Sequence, residues 1–249
     1  DASYLKNTPV EMIEAEVPIE IVRYGLAPDS GGAGENRGGL GTWLEFKVFS
    51  PGTRITARNR DRTRFRPWGI LGGKAGRPSN FIRNPDTPKE EVLGNQDTLT
   101  AEPGDVIRFY GPGGGGRGNP LERDPARVLR DVERGALSLD AARTDYGVVI
   151  VDGSVDEAAT TARRNEMRNG GSADAHFDFG PEREEYERHW TPEAYDAMTE
   201  IMASLPNHWR FFVKARIFDA MNASETGGAD VVRSAFTSIK AEHPQIAAE

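Results

Sequence analysis

Cysteine is absent from the 249 residues of this chain. Disulfides, thiolate metal sites and a cysteine nucleophile are therefore excluded, and a cytoplasmic setting is the expectation. Histidine is scarce, with four residues, so a histidine-based metal centre or proton relay has little to draw on. Long apolar runs are missing as well. None approaches the roughly 18 residues that a bilayer-spanning helix needs, and no signal-peptide pattern opens the chain. The chain also lacks a surplus of positive charge. Its formal net charge is −8, opposite in sign to that of a typical nucleic-acid binder. Neither a membrane nor a nucleic acid is expected as a partner.

What the chain has in quantity is turn chemistry. Its 28 glycines and 16 prolines stand beside only 37% hydrophobic residues, which predicts short strands and long connections. Charge is unevenly spread: residues 1–118 hold 16 Lys/Arg and 15 Asp/Glu, whereas residues 119–249 hold 15 and 24. Asp1 stands where an initiator methionine would, and the chain reads as a piece of a larger polypeptide.

The first part has β periodicity. Ile19, Val22 and Tyr24 are spaced for a half-buried strand, and Thr42 to Ser50 alternates, with Trp43, Glu45 and Lys47 on one side and Leu44, Phe46 and Val48 on the other. Pro51-Gly52 signals a turn, with Thr53 to Arg58 as its hairpin partner. Asp97 to Thr100 and Asp105 to Tyr110 read as two further strands joined by Glu102-Pro103-Gly104. After Pro120 the pattern becomes helical. Asp124-Pro125 forms an N-cap and N1 pair, Ser138 can cap a second helix, Val148 to Val151 reads as a strand, and Ser154 to Arg168 as a helix. Residues 181–204 and 207–222 read as helices separated by Pro206.

The expected fold is α+β: a β-rich sandwich or irregular barrel followed by a helical C-terminal part. Four sections are expected. Residues 1–120 form a β-rich glycine-loop domain, and 121–168 a helical segment with a short strand packed on it. Residues 169–180 are a linker, and 181–249 a helical extension.

The densest glycine run is FYGPGGGGRGNP at 109–120. Gly113, Gly115 and Gly118 satisfy G-x-G-x-x-G, but a dinucleotide site needs a helix that begins inside the motif. Asn119-Pro120 interrupts instead, and no Lys-Ser/Thr closes a phosphate loop. A structural turn or a backbone anion nest remains. A second run, Ser30 to Gly41, carries Arg37 and reads either as a mobile substrate or subunit loop or as a long hairpin connection. The stretch from Arg54 to Arg83 interleaves arginines with Phe65, Trp68 and Phe81, which suits an interface facing acidic groups. Asp174-x-His176-x-Asp178 offers three hard ligands but no helical frame to hold them, so no metal site is expected in this chain. No Ser-His-Asp or paired-carboxylate arrangement stands out, and no catalytic residue is assigned. The helix at 206–221 is amphipathic, with Trp209, Phe212, Val213, Ile217 and Met221 on one face.

Five segments recur in an order that resembles one family: 7–21 (NTPVEMIEAEVPIEI), 28–41 (PDSGGAGENRGGLG), 64–79 (RFRPWGILGGKAGRPS), 111–132 (GPGGGGRGNPLERDPARVLRDV) and 145–160 (DYGVVIVDGSVDEAAT). Over residues 1 to about 168 the chain resembles the C-terminal part of the hydantoinase B/oxoprolinase family. The tail from His176 resembles an extension carried by some members. The resemblance implies a B-like subunit that works with a hydantoinase A-like ATPase on a small cyclic amide: a hydantoin, 5-oxoproline or a lactam. ATP and Mg would sit on the A-like partner, and a divalent metal in the N-terminal part of the B-like subunit. A hetero-oligomer follows, in which this chain alone is inactive. A subunit of an acetone or acetophenone carboxylase and a non-catalytic interaction module are the alternatives. Arg37, Arg64, Arg66, Trp68 and Arg117 are the candidate substrate- or interface-binding residues, because arginines beside glycine loops can reach anions or partner carboxylates.

Overall fold

The computed structural model describes residues 7–57, 62–169 and 176–247. The chain divides into two compact units, Asp1–Gly180 and Pro181–Glu249. The first is built on β1 (Ile19–Leu26), β2 (Thr42–Val48), β3 (Thr53–Thr56), β4 (Gly69–Ile70), β5 (Asn80–Arg83), β6 (Glu91–Val92), β7 (Thr98–Ala101) and β8 (Val106–Tyr110). Five of these form an antiparallel sheet in the order β1-β2-β8-β5-β6. Strands β3 and β7 pair as a separate ribbon. The fold is α+β, as the sequence predicts, and its strands close no barrel among the described residues.

The alternation in β2 sets the two faces of the sheet. Phe46 packs with Phe81, Ile107 and Phe109 against Leu99 and Ile55 of the ribbon. Trp43 faces the other way and packs with Tyr110, Ile82 and Ala27. The hairpin expected across Pro51-Gly52 does not form. The turn leads the chain out of the sheet, and β3 pairs with β7 in register Ile55↔Leu99. Consequently β7 and β8, adjacent in sequence, belong to different sheets and are not partners. Arg58, the end of that expected strand, lies outside the described residues.

A short helix precedes the sheet: α1 (Val10–Glu16), which the sequence reading missed. After the sheet come α2 (Pro125–Glu133) and α3 (Leu139–Asp145), each capped where the sequence indicates. Asp124 Oδ1 accepts from Ala126 N at 2.9 Å, and Ser138 Oγ accepts from Ala141 N at 3.0 Å. Strands β9 (Ile150–Val151) and β10 (Ser154–Val155) make a two-residue hairpin before α4 (Glu157–Asn169). Val128, Leu137, Ala142, Tyr146 and Val148 then form a core that also takes in Ala33 of the Ser30 to Gly41 run. Finally β11 (Phe177–Asp178) returns to pair with β4. Of the expected 169–180 linker, residues 170–175 lie outside those described, and Phe177–Asp178 form this strand.

The second unit is helical: α5 (Pro181–His189), α6 (Pro192–Ser204), α7 (Asn207–Ala223) and α8 (Ala229–Glu242). The single helix expected over 181–204 is broken at Trp190, where Thr191 caps the next helix and Pro192 takes its first position. Helix α8 lies within the helical extension expected over 181–249, though the sequence reading assigns it no bounds of its own. Val213, Ile217 and Met221 of α7 are fully buried, as their spacing predicts, while Phe211 is 85% exposed. Among the described residues no helix is long and apolar enough to cross a membrane.

Candidate functional site

Three glycine-rich segments, 30–41, 67–77 and 111–118, run against one another with almost no side chain between them. Backbone hydrogen bonds join all three. Gly32 N donates to Gly114 O (2.8 Å), Arg77 N to Ser30 O (2.8 Å), Gly113 N to Arg77 O (3.0 Å), Gly114 N to Gly39 O (2.8 Å), Gly116 N to Lys74 O (2.9 Å) and Lys74 N to Ala33 O (2.7 Å). The glycines are dictated by proximity. A Cβ on Gly113 would overlap the Ser30 carbonyl, one on Gly115 the Trp68 carbonyl, and one on Gly116 the Ala33 carbonyl.

This settles the question raised by the GPGGGGRG stretch. The amides of Gly113, Gly114, Gly116, Arg117 and Gly118 each donate to a protein carbonyl, so the backbone of this loop has no row of free donors for a phosphate. The second glycine run, Ser30 to Gly41, is one wall of the same crossing.

A buried arginine lock holds the crossing to the helices. Asp131 of α2 accepts from Arg37 Nε at 3.2 Å and from Arg123 at 2.7 Å, and Arg123 also donates to Glu35 O at 2.9 Å. Arg164 of α4 in turn donates to the carbonyls of Arg123 (2.7 Å) and Tyr146 (3.0 Å). Arg123 and Tyr146 are buried. Burial lowers the Arg164 guanidinium below its ordinary value. It pushes the Tyr146 phenol up to about 12, against the opposing pull of Arg123 and Arg37.

The five residues singled out from the sequence therefore meet different fates. Arg37 donates to Asp131 and to Gly38 O within the lock. The Arg117 backbone is fixed on both sides, by Asn36 (2.9 Å in each direction) and by the bridge to Ile70. Its exposed guanidinium has no ion pair or hydrogen bond to a side chain among the described residues. A held backbone carrying such a guanidinium can offer a forked donor to a carboxylate or phosphate. Trp68 is exposed beside the crossing, with Arg62 5.0 Å from its ring centre and Phe179 at 6.2 Å. Arg64 precedes it, exposed, 5.4 Å from the Phe65 ring centre, and Arg66 is half-buried. Among the described residues no group of three His, Asp or Glu side chains is arranged to hold a metal. Of the Asp174-x-His176-x-Asp178 set, Asp174 lies outside the described residues. Asp178 pairs with Lys74 at 3.7 Å and accepts from Gly180 N.

The lock was missed in the sequence reading, although Arg123 and Asp131 both lie in the 111–132 segment. Arg123 stands just before α2 and Asp131 in its last turn, a charged pair indistinguishable on sequence alone from a solvated one.

Residues 2–120, which carry all three segments of the crossing, match the hydantoinase B/oxoprolinase family. Over that span the chain is similar to this family. It is 40% identical over 170 residues to the caprolactamase beta subunit of Pseudomonas jessenii, a match covering 64% of the chain and 28% of that protein. It is 33% identical over 165 residues to the B-type subunit of a putative D-/L-hydantoinase from a Pseudomonas species, covering 66% of the chain and 27% of that protein. The chain thus spans about a quarter of the length of these relatives. Among solved structures, nucleotide-free acetone carboxylase shares the fold over 94% of the chain and 33% of its own, with a TM-score of 0.52 at 20% identity.

Proposed function

We propose that this chain is one section of the B-like component of an ATP-dependent cyclic-amide hydrolase that works with an A-like ATPase subunit. The observation that carries the reading is the 40% identity with a caprolactamase beta subunit. That match takes in 64% of a chain whose first unit is organised on a backbone crossing rather than a generic core. In this assembly the partner binds ATP with Mg and activates the amide oxygen by phosphorylation, and a divalent metal belongs to the rest of the B-like component. The crossing acts as a rigid wall, and Arg117 and Trp68 are its outward-facing contacts to substrate or partner protein. In this reading the chain by itself turns over no substrate.

Reconstitution tests this. The chain is combined with an A-like ATPase and the remaining B-like sections, and ATP hydrolysis is followed with caprolactam, hydantoin and 5-oxoproline. Stimulation by at least one cyclic amide is expected. Stimulation by ketone plus bicarbonate alone would move the chain to the carboxylase branch. ATPase activity indifferent to the presence of the chain would leave it a non-catalytic interaction module.

A further inference from the structure

The five-stranded sheet is sealed at one end and open at the other. The β3–β7 ribbon covers the apolar face at Phe81, Ile107 and Phe109. At β1 the same face stays largely exposed among the described residues, where the Tyr24 hydroxyl accepts from Asn7 Nδ2. Tyr24, opposite Leu44, is 45% exposed, Leu26 is 61% exposed, and Val22, at the irregularity between Ile21 and Arg23, is 53% exposed. Met12, Val17 and Phe49 are exposed close by in sequence or through the Phe49 N to Pro18 O bond.

The backbone of β1 is open as well. Ala27 N donates to Gly41 O at 2.8 Å and Gly25 lies opposite Trp43, so alternation turns the N–H and C=O groups of Tyr24 and Leu26 away from β2. Helix α1 meets the start of the strand, where Glu14 accepts from Ile21 N at 2.6 Å, and Asn7 before it touches the Tyr24 hydroxyl but no backbone group of Tyr24 or Leu26 among the described residues. The usual guards of an edge are absent between residues 22 and 26. There is no proline or lysine, and Arg23 lies over the Trp43 ring at 3.5 Å, its charge turned to the opposite face. Acidic residues Glu11, Glu16 and Glu20 ring the other end.

We propose that β1 is the docking edge for an extended segment from the part of the B-like component that this chain does not span. The partner segment pairs with the outward backbone of Tyr24 and Leu26. It lays alternate apolar side chains over Val22, Tyr24 and Leu26, and carries basic residues toward Glu16 and Glu20. The length relation argues for this occupant: the chain matches only 28% of the caprolactamase beta subunit. Exposed apolar side chains on an unguarded edge fit a surface that the remaining three-quarters covers. This inference rests on the B-like reading.

The probe is the P. jessenii caprolactamase beta subunit with its matched 170 residues deleted, mixed with the full chain and followed by sedimentation velocity and hydrogen exchange. Complex formation should protect the amides of Tyr24 and Leu26. Leu26→Lys and Val22→Lys should each weaken it by roughly tenfold or more, while Val151→Lys, at an exposed site on β9, should not. Both surface variants should unfold like the parent chain. Parent-like affinity in the β1 variants overturns the docking edge and leaves the B-like reading standing. A parent chain that fails to bind overturns both. Tyr24 and Leu26 amides already protected in the free chain, or a homodimer abolished by Leu26→Lys, assign the edge to the chain itself or to a second copy, and the proposal falls.

Discussion

The two units reach order by opposite means. In the first, the centre is a backbone crossing in which carbonyls and amides of three distant segments meet directly, with side chains excluded by proximity. In the second, four helices meet through large side chains, with Trp190 against Phe218 and Val213, Ile217 and Met221 fully buried. A side-chain core tolerates change in proportion to the volume lost. A backbone crossing has no such gradation, because the smallest added group already overlaps a carbonyl.

That contrast can be broken most sharply at Gly113. Gly113→Ala should abolish the cooperative unfolding of the first unit, a loss above about 4 kcal/mol. Gly39→Ala, where an added Cβ meets nothing, should leave it intact; calorimetry with site-resolved hydrogen exchange separates the two. Next is the lock. Asp131→Ala leaves Arg37 and Arg123 without their shared carboxylate and should cost about 4 kcal/mol, measured by denaturant unfolding. In the helical unit, Ile217→Ala should cost roughly 3 kcal/mol, with exchange quickening in α6 to α8 and not around Gly113.

A smaller effect appears at high pH. The Tyr146 phenol is raised from 10.0 to about 12 in the fold. Its contribution is therefore full below pH 10 and lost as pH climbs through 12, because the unfolded chain releases that proton first. Tyr146→Phe should flatten this alkaline limb by on the order of 2 kcal/mol, seen in urea titrations at stepped pH. Least of all, Phe211→Ser on the exposed side of α7 should change stability by less than about 0.5 kcal/mol.

The same contrast explains what the sequence made legible. Periodicity reports which side chains share a face, so Leu44, Phe46 and Val48 were readable, as was the buried stripe Val213, Ile217 and Met221. Caps report local hydrogen bonds, so Asp124 and Ser138 were readable too. Pairing between distant strands leaves no local trace, and β3 was assigned to its sequence neighbour although its partner is β7. The amphipathic faces of α1 and α8 were too short or too mixed to register. At the candidate site, glycine spacing ruled out a nucleotide loop but could not say which segments met. Arg37 had a visible charge and an invisible partner, since Asp131 lies on a helix far along the chain. Arg117 was identified as a residue to test, and the structure leaves its guanidinium facing solvent.

The crossing also has a consequence in time. Ser30, Arg77 and Gly113 must all be present before its hydrogen bonds can close, so no stretch emerging early in synthesis can complete it. Contacts this distant in sequence fold slowly. The glycine segments must therefore wait, extended and without side chains of their own to hold them, until residue 118 has been made. The part of the first unit most tightly joined by backbone hydrogen bonds between distant segments is thus completed only when residue 118 is in place.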